Sequence, residues 1–385
     1  MNYILFLLKK VFKNKITYIP LFILSILTIG MLILNANEAK RNNIESYVEN
    51  NLTQDTIGLE QAQNFLKQTN LSSEDKESGD LNLEKFTNNV ASDKEALNNI
   101  KKKNWSKAYE NLLKPLTYEI NAIESGKALF SEAETNYLKH DYMMFKELKK
   151  RNLSYENSNF PTKGINYTVF VMQLLFPVLL SLTIIFILSS LFSSSYYEKI
   201  NTLLLLPNGK IETLFLNLTS GIIISTFIVT FSIAFPFILG TAFFGLGSSN
   251  YPIVSYTLSN HSIYFQSVSN VVLPSLILEI ISFTFITSLV YLIANIIREK
   301  LATLFVSSIV VVGTLLSVNV IAPAQKIAHL LPTTYLNSVS VVTGEYAYKL
   351  NNPSISFNQG IYTLLTFLLI TITLNILVTG YIKKH

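Results

Sequence analysis

The 385-residue sequence contains no cysteine, which excludes disulfide bonds and thiolate metal sites. It also contains no G-x-x-x-x-G-K-S/T phosphate loop, no H-E-x-x-H zinc motif and no G-x-S-x-G nucleophile elbow. Those motifs carry nucleotide binding, zinc hydrolysis and serine hydrolysis. We therefore expect a chain that binds no nucleotide, metal or other cofactor directly and that is not itself an enzyme.

Charged residues are scarce and unevenly placed. Asp, Glu, Lys and Arg make up 14% of the chain, against roughly 25% in soluble domains. Residues 37–163 contain 20 of the 25 acids and 18 of the 30 bases. The rest of the chain carries few charges and is apolar enough to lie in a lipid bilayer. This distribution predicts a membrane protein with one soluble insert. The net charge of +5 does not indicate nucleic acid, because the bases outside the insert stand mostly at the ends of apolar runs as topology signals.

The N-terminus predicts an interfacial helix followed by a first membrane span. Residues 1–15 mix apolar side chains with four lysines, which is typical of an amphipathic helix lying on a membrane surface. Residues 16–36 form the first predicted span, because an apolar run of about 19 residues is long enough to cross the hydrocarbon. A signal peptide would share the basic start, but no clear A-x-A cleavage site follows. The lysines place the N-terminus inside.

Residues 37–164 are predicted to form an extracytoplasmic helical domain between the first two spans. Glycine and proline are scarce there, and apolar residues recur at helical spacing, as at Trp105, Ala108 and Leu112. No strand-like alternation is sustained, so we expect several amphipathic helices packed as a small bundle. The polar stretch 71–80, LSSEDKESGD, is the predicted loop.

Five further spans are predicted in residues 165–382, which gives an all-α polytopic protein with six transmembrane helices and two cytoplasmic termini. The predicted spans are 165–192, 213–234, 270–297, 301–321 and 360–382. Pro177 is expected to kink the second span, and Pro236 with Gly240 to break the apolar sequence after the third. Every predicted inner loop or end carries Lys or Arg, as the positive-inside rule requires. An uncharged polar loop is expected outside at 245–269.

One acidic residue, Glu279, lies within the fourth predicted span. A carboxylate inside a span is costly, so it is a candidate for a substrate path or for proton binding. Ser282 and Thr284 on the same span are the other candidates for that path. The alternative is a protonated Glu279 that bonds to a nearby hydroxyl or is wetted at the outer interface. An intramembrane enzyme lacks support, because no second acid, histidine or metal cluster accompanies Glu279.

The segment 193–212 joins the second and third predicted spans and combines an acidic residue, a leucine run and a Pro-Asn-Gly turn. A loop between spans has no need of four consecutive leucines unless they lie against another molecule. We therefore predict a cytoplasmic coupling helix that docks on a separate motor protein. The residues predicted to make this contact are Tyr197, Glu198, Lys199, Leu203, Leu204, Leu206, Pro207 and Lys210.

This segment resembles the coupling loop of the permease subunits of type-2 ABC exporters, where an acidic residue precedes a short helix and a Pro-and-basic turn. Those permeases usually have Gly soon after the acid, whereas this chain has Ile200 and Asn201. The stretch 331–335, LPTTY, resembles the outer re-entrant region of the family. We assign that region to 322–359, with Pro332 and Tyr335 as its marker residues. The interfacial helix, the six spans and the large insert also resemble bacterial members.

The resemblance implies an ATP-driven exporter in the bacterial cytoplasmic membrane. Two cytoplasmic ABC ATPase subunits would bind ATP and Mg²⁺, and a second permease subunit, identical or related, would face this one across the path. The other expected partner is membrane lipid, and no nucleic acid is expected. Spans with almost no charge favour amphipathic cargo, such as a peptide, an antimicrobial compound or a lipid-like molecule.

Two other functions stay open from the sequence. A mechanotransmission-type ABC permease uses ATP to move an outer domain and also places a large domain after its first span, but such proteins usually have four spans. A non-transport membrane sensor or scaffold would bind an extracellular ligand through the insert. It would not co-purify with an ATPase.

Overall fold

The computed structural model describes residues 2–126, 130–194, 196–197, 200–201, 209–258 and 262–381. These residues are mostly helical, and their strands form two short two-stranded pairs. The chain divides into two compact units. Unit 1 comprises Met1–Ile33, Lys163–Gly247 and Val254–His385, and unit 2 comprises Leu34–Thr162 and Ser248–Ile253. The predicted all-α class is confirmed in outline.

Six helical stretches of the described chain are long and apolar enough to cross a membrane, so the chain is a multi-pass membrane protein. They are Lys15–Leu66, Gly164–Ser193, Lys210–Phe244, Val268–Ile297, Lys300–Val320 and Phe357–Gly380. The number agrees with the prediction. The first stretch contains helix α2 (Tyr18–Arg41), which extends beyond the predicted end at residue 36.

The N-terminal helix α1 (Asn2–Lys13) packs against the third span, helix α9 (Lys210–Phe244). Its buried side carries Leu7 and Val11, while Phe6 on the other side is 59% exposed. The hydroxyl of Tyr3 donates a hydrogen bond to Asn217 Oδ1 on α9 at 3.1 Å. The helix is amphipathic, as the sequence indicates, and its place at the membrane surface stays a prediction.

Prolines have different effects in the second and third spans. The second span consists of α7 (Gly164–Leu175), a π-helical turn (Phe176–Leu180) and α8 (Ser181–Ser193). The π turn contains Pro177, and a kink of the span at this residue stays a prediction. The third span was predicted to break at Pro236 and Gly240, but α9 continues through both to Phe244. Proline is tolerated inside a spanning helix where its neighbours satisfy the freed backbone groups.

Helix α10 (Val268–Ile297) is the centre of unit 1. It packs against α8, α9 and the last span, α16 (Phe357–Tyr381). Phe283, Ile286 and Val290 of α10 are buried in this contact region. Polar groups also join the helices, as where the hydroxyls of Ser225 and Thr287 lie 2.8 Å apart. Small and hydroxylated residues of this kind allow close packing between spans.

The fifth span and the segment after it are interrupted repeatedly. Helices α11 (Lys300–Ser308) and α12 (Thr314–Val320) flank a π-helical turn, Ile309–Gly313. The predicted re-entrant region then contains α13 (Ala322–Lys326), two 3₁₀ turns (Ala328–Leu330 and Pro332–Leu336), α14 (Ser338–Val342) and α15 (Glu345–Lys349). The depth of these short elements in the bilayer stays a prediction.

Two short strand pairs interrupt the helical pattern. Strands β1 (Tyr196–Tyr197) and β2 (Ile200–Asn201) pair antiparallel between the second and third spans. Strands β3 (Pro252–Thr257) and β4 (Ser262–Ser267) pair within 245–269, which the sequence analysis treats only as a loop. The backbone N–H of Tyr256 donates to the carbonyl of Thr343 at 2.8 Å, which ties β3 to the end of α14.

Four helices lie wholly within the described residues of unit 2, and the position of this unit outside the membrane stays a prediction. They are α3 (Ile44–Leu66), α4 (Ser73–Lys101), α5 (Trp105–Glu124) and α6 (Glu132–Arg151), and each packs against the next. Tyr109 and Phe145 stack in the core with ring centroids 5.7 Å apart. Gly58 lets α3 approach α4, because a Cβ there would lie 2.5 Å from the ring of Phe86.

The prediction of a loop at 71–80 is wrong. Helix α4 begins at Ser73 and includes most of that stretch. Ser72 is its N-cap, and the side chains of Ser72 and Asp75 form a reciprocal capping box with each other's backbone N–H groups. The Ser, Asp and Glu residues that made the stretch look like a loop are those that favour the first turn of a helix.

Candidate functional site

The predicted coupling segment lies only partly within the described residues. Predicted contact residues outside them are Glu198, Lys199, Leu203, Leu204, Leu206 and Pro207. The backbone of Tyr197 pairs with Ile200 in the β1–β2 pair. Lys210 is the first residue of α9. The docking role of all these residues stays a prediction.

The described start of this segment is joined to two other spans by side-chain hydrogen bonds. At the end of α8, the Ser193 hydroxyl donates to Thr303 Oγ1 on α11 at 3.3 Å. The Tyr196 hydroxyl donates to Asn295 Oδ1 on α10 at 2.7 Å. The segment therefore begins with fixed connections to the fourth and fifth spans.

From Asn295 the hydrogen bonds continue into the last span. Asn295 Nδ2 donates to Asn375 Oδ1 on α16 at 3.4 Å. Asn375 Nδ2 in turn donates to the Ser288 carbonyl on α10 at 3.0 Å. Both asparagines are buried, and breaking such a network leaves polar groups without partners in an apolar interior. We call Tyr196, Asn295 and Asn375 the polar relay.

The direction of the first bond in the polar relay follows from its two groups, because Asn295 Oδ1 can only accept and the Tyr196 hydroxyl donates. Burial, with a smaller contribution from Tyr291, raises the pKa of Tyr196 above its usual range. Tyr196 therefore keeps its proton at any physiological pH and acts as the donor to Asn295 Oδ1. No local pattern in the sequence marks the relay, because its members are 99 and 80 residues apart along the chain.

Glu279 lies on α10 with its carboxylate enclosed by protein. The side chain is fully buried, and the Ser338 hydroxyl on α14 donates to Glu279 Oε1 at 2.7 Å. The other oxygen, Oε2, has no hydrogen-bond partner among the described residues. The bond to a hydroxyl matches the alternative role considered for Glu279, and a place in a substrate path stays a prediction.

The other two candidates for the path occupy different surroundings. Ser282 is buried one helical turn after Glu279, and its hydroxyl has no partner among the described residues. Thr284 is five residues after Glu279, which places it about 140° around the helix. Its hydroxyl donates to the Ile280 carbonyl at 2.7 Å. The structure therefore groups Ser282 with Glu279 and leaves Thr284 on another face.

The markers of the predicted re-entrant region are both buried in unit 1. The Tyr335 hydroxyl donates to the His329 carbonyl at 2.7 Å, and Thr363 on α16 donates to the same carbonyl at 3.0 Å. A Cβ added to Gly360 on α16 would lie 2.6 Å from the Tyr335 ring. Pro332 is the first residue of the 3₁₀ turn that carries Tyr335. These contacts hold the segment against α16.

Unit 2 contains a buried acid that the sequence analysis missed. Asp93 on α4 is 1% exposed, and its Oδ2 has no partner among the described residues. Asn89, one turn earlier, donates to Asp55 Oδ1 on α3 at 3.3 Å. Burial, and then the charge of Asp55, raise the pKa of Asp93 to about 7. Asp93 stands among polar residues in the sequence, so no pattern marks it as buried.

No cluster of three or more His, Cys, Asp or Glu side chains that could hold a metal lies in the part of the chain that the structure describes. No protein-family profile, curated protein or solved structure matches the chain.

Proposed function

We propose that this chain is the membrane-spanning permease subunit of an ATP-driven ABC exporter. In this proposal the N- and C-termini and the segment 193–212 face the cytoplasm, and residues 37–164 lie outside the cell. The protein resides in the bacterial cytoplasmic membrane and pairs with a second permease subunit, identical or related. Two cytoplasmic ABC ATPase subunits hold ATP and Mg²⁺ and dock on the segments 193–212.

The observation that supports this proposal most is the polar relay, which begins at Tyr196 within the proposed docking segment. A permease driven from outside itself needs a connection that carries movement of the docked segment into its spans. Tyr196 bonds to Asn295 on the fourth span, and Asn295 bonds to Asn375 on the sixth. Ser193 adds a bond to the fifth span through Thr303. ATP binding would bias these packed helices between two arrangements.

The cargo class is proposed from the character of unit 1. Within the described spanning segments of unit 1, Glu279 is the only acidic residue that lies away from a segment end. Spans with so few charges suit amphipathic cargo with a large apolar part, such as a peptide, an antimicrobial compound or a lipid-like molecule. The insert carries 20 acids and 18 bases, so it exerts little net attraction on cargo of either sign.

A mechanotransmission-type permease is the second candidate. The large helical unit between the first two spans favours it, because such proteins act through a domain in that position. The six spanning helices favour export, since mechanotransmission permeases usually have four. In the alternative, ATP would move unit 2 against an extracytoplasmic partner.

Co-purification with an ATPase tests the proposal. The tagged chain is isolated from its native membranes in a gentle detergent, and the eluate is assayed for ATPase activity. The test variant combines Glu198→Ala with Leu204→Asp in the proposed docking segment. The matched control is Glu299→Ala, in the other proposed cytoplasmic turn.

We expect the parent and the control to elute with an ABC ATPase and the double variant to lose it. Absence of any ATPase from the parent would contradict the proposal and favour a membrane sensor or scaffold. Retention of the ATPase by the double variant would show that 193–212 is not the docking segment.

A further inference from the structure

The proposed export function does not explain how the negative charge of the Glu279 carboxylate is balanced. Glu279 lies on a spanning helix, is fully buried, and receives one hydrogen bond, from Ser338 to Oε1. Oε2 has no partner among the described residues. A bare carboxylate in such surroundings is expensive. A positive charge must accompany it, either from the protein or from a bound ion.

The described protein supplies no positive charge next to Glu279. Three elements pack against α10 near Glu279: α14 through Ser338, the start of α16 where Gly360 lies close to Leu278, and the turn Pro332–Leu336, whose Tyr335 ring lies against Gly360. None contains Asp, Glu, Lys, Arg or His, and their titratable side chains are Tyr335 and Tyr362. Tyr335 already donates to the His329 carbonyl.

The remaining helices around α10 place their charges elsewhere. Lys300 of α11 comes 21 residues after Glu279 in the sequence, about 30 Å along a helix. Lys210 and Glu212 start α9, close to Asn217, which bonds to Tyr291 near the far end of α10. α7 and α8 contain one titratable side chain, Tyr167, and β4 contains Tyr264. The described elements that pack against α10 therefore place no lysine, arginine or histidine beside Glu279.

Two serines on the same face of α10 offer further oxygen atoms. Ser275 and Ser282 lie four residues before and three residues after Glu279, which places all three side chains in one row. Both serines are at most 1% exposed, and neither hydroxyl has a partner among the described residues.

Four other hydroxyls on the spanning helices, those of Ser189, Ser232, Thr241 and Ser307, also have no partner among the described residues, and what distinguishes Ser275 and Ser282 is their position one turn from a buried carboxylate. Hydroxyls there commonly bond back to the carbonyl four residues earlier, as Thr28, Ser220, Thr284 and Thr287 do. Ser275 and Ser282 make no such bond. Their lone pairs stay available beside the carboxylate, and hard cations are held by oxygen ligands.

We propose that Glu279, Ser275, Ser282 and Ser338 form a buried site for one monovalent cation, supplied either as Na⁺ or as a proton. Na⁺ would be held by Glu279 Oε2 and the serine hydroxyls. A proton would be bound to Oε2, and the resulting O–H group would donate a hydrogen bond to a serine hydroxyl. In both cases the bound cation neutralises the carboxylate and so favours the packing of α14, which carries Ser338, on α10. The site lies outside the polar relay and does not depend on the exporter assignment.

Thermal unfolding of the purified full-length chain tests this site. Its midpoint is measured in detergent with 150 mM NaCl or choline chloride, at a series of pH values from 5.5 to 8.5. ²²Na⁺ binding is measured on the same samples. The variants are Glu279→Gln, which keeps the shape but removes the charge, and Ser282→Ala. Ser220→Ala is the matched control, because this buried hydroxyl is already bonded to the Leu216 carbonyl.

If Na⁺ is the cation, Na⁺ raises the midpoint of the parent by about 3 °C or more over choline. The parent then binds ²²Na⁺, Glu279→Gln does not, and Ser282→Ala binds it at least about threefold more weakly. If the proton is the cation, Na⁺ has no effect, the parent loses stability as pH rises, and Glu279→Gln removes the part of that loss that does not come from Asp93 and Asp55 in unit 2. In both cases Ser220→Ala behaves like the parent.

The proposal is overturned if the parent and Glu279→Gln respond identically to Na⁺ and to pH. It is also overturned if Ser220→Ala weakens the response as much as Ser282→Ala does. Should Glu279→Gln fail to fold, the comparison of Ser282→Ala with Ser220→Ala and ²²Na⁺ binding by the parent decide the outcome.

Discussion

Replacing Asp93 by asparagine should make the helical unit 2 more stable at neutral and alkaline pH. Asp93 on α4 is 1% exposed. The negative charge of Asp55 on α3 acts on it. The pKa of Asp93 rises from 3.8 to about 7, which corresponds to about 4 kcal/mol at 1.36 kcal/mol per pKa unit. Relaxation around the half-buried Asp55 lowers this figure, so we expect the substitution to stabilise unit 2 by about 2–4 kcal/mol at pH 8.

The sign of the pH dependence follows from the direction of the shift. Unfolded Asp93 ionises near pH 4 and folded Asp93 near pH 7, so the folded state holds an extra proton between these values. The free energy of unfolding should therefore fall as pH rises from 4 to 7 and level off above 7. Burial also raises the pKa of Asp55, which adds to the same slope. Lys85 and Glu119 are the other charged groups that act on Asp55.

The single tryptophan makes the assay specific to unit 2. The chain has one Trp, Trp105 at the start of α5, so its fluorescence follows unfolding of this unit in the full-length protein. Thermal midpoints are compared at pH 5, 6, 7 and 8 for the parent, Asp93→Asn and the exposed control Asp80→Asn. We expect Asp93→Asn to flatten the pH dependence and to melt several degrees above the parent at pH 8. An unchanged slope in Asp93→Asn would refute the reasoning.

Three further outcomes follow from contacts described above. Asn295→Ala leaves the Tyr196 hydroxyl without its acceptor, which should lower the free energy of unfolding by about 1–3 kcal/mol. The purified chain should therefore unfold at a temperature several degrees lower. Gly360→Ala puts a Cβ 2.6 Å from the Tyr335 ring and should cost about 1–3 kcal/mol by overpacking, measured as a lower melting temperature. Ser72→Ala removes the capping box of α4 and should cost about 1 kcal/mol, measured by Trp105 fluorescence.

The spans could be predicted because their cause lies in local composition. Apolar runs of about 20 residues have few alternatives to crossing a membrane as helices. The number of spans therefore agreed with the structure, and most ends agreed within a few residues. Pro236 was misjudged because proline breaks helices in water, whereas α9 accommodates it within a spanning helix.

The loop prediction at 71–80 failed because one composition favours two structures. Serine and acidic residues favour loops, and they equally favour the first turn of a helix. The spacing of Ser72 and Asp75 was the deciding signal, since a Ser-x-x-acid pattern ahead of a helical stretch is the mark of a capping box. Reading that spacing would have placed the start of α4 correctly.

The polar groups that carry the proposals depend on contacts between distant parts of the chain. Glu279 could be singled out as an acid within a span, but its partner Ser338 is 59 residues away. Asn295 and Asn375 are ordinary polar residues near the ends of apolar runs, and only packing of α10 on α16 brings them together. Local patterns carry no information about such pairs.

The central claim is that segment 193–212 docks on a cytoplasmic ATPase, and site-specific crosslinking in native membranes tests it most directly. The chain contains no cysteine, so Leu204→Cys introduces a unique thiol for a photo-crosslinker, with Leu246→Cys as a comparison on the proposed outer side. The account predicts that position 204 yields an adduct with a protein that carries an ABC-type phosphate loop and that position 246 yields none. The claim would be contradicted if position 204 gave no adduct. It would also be contradicted if a membrane-impermeant thiol reagent added outside the cell labelled position 204.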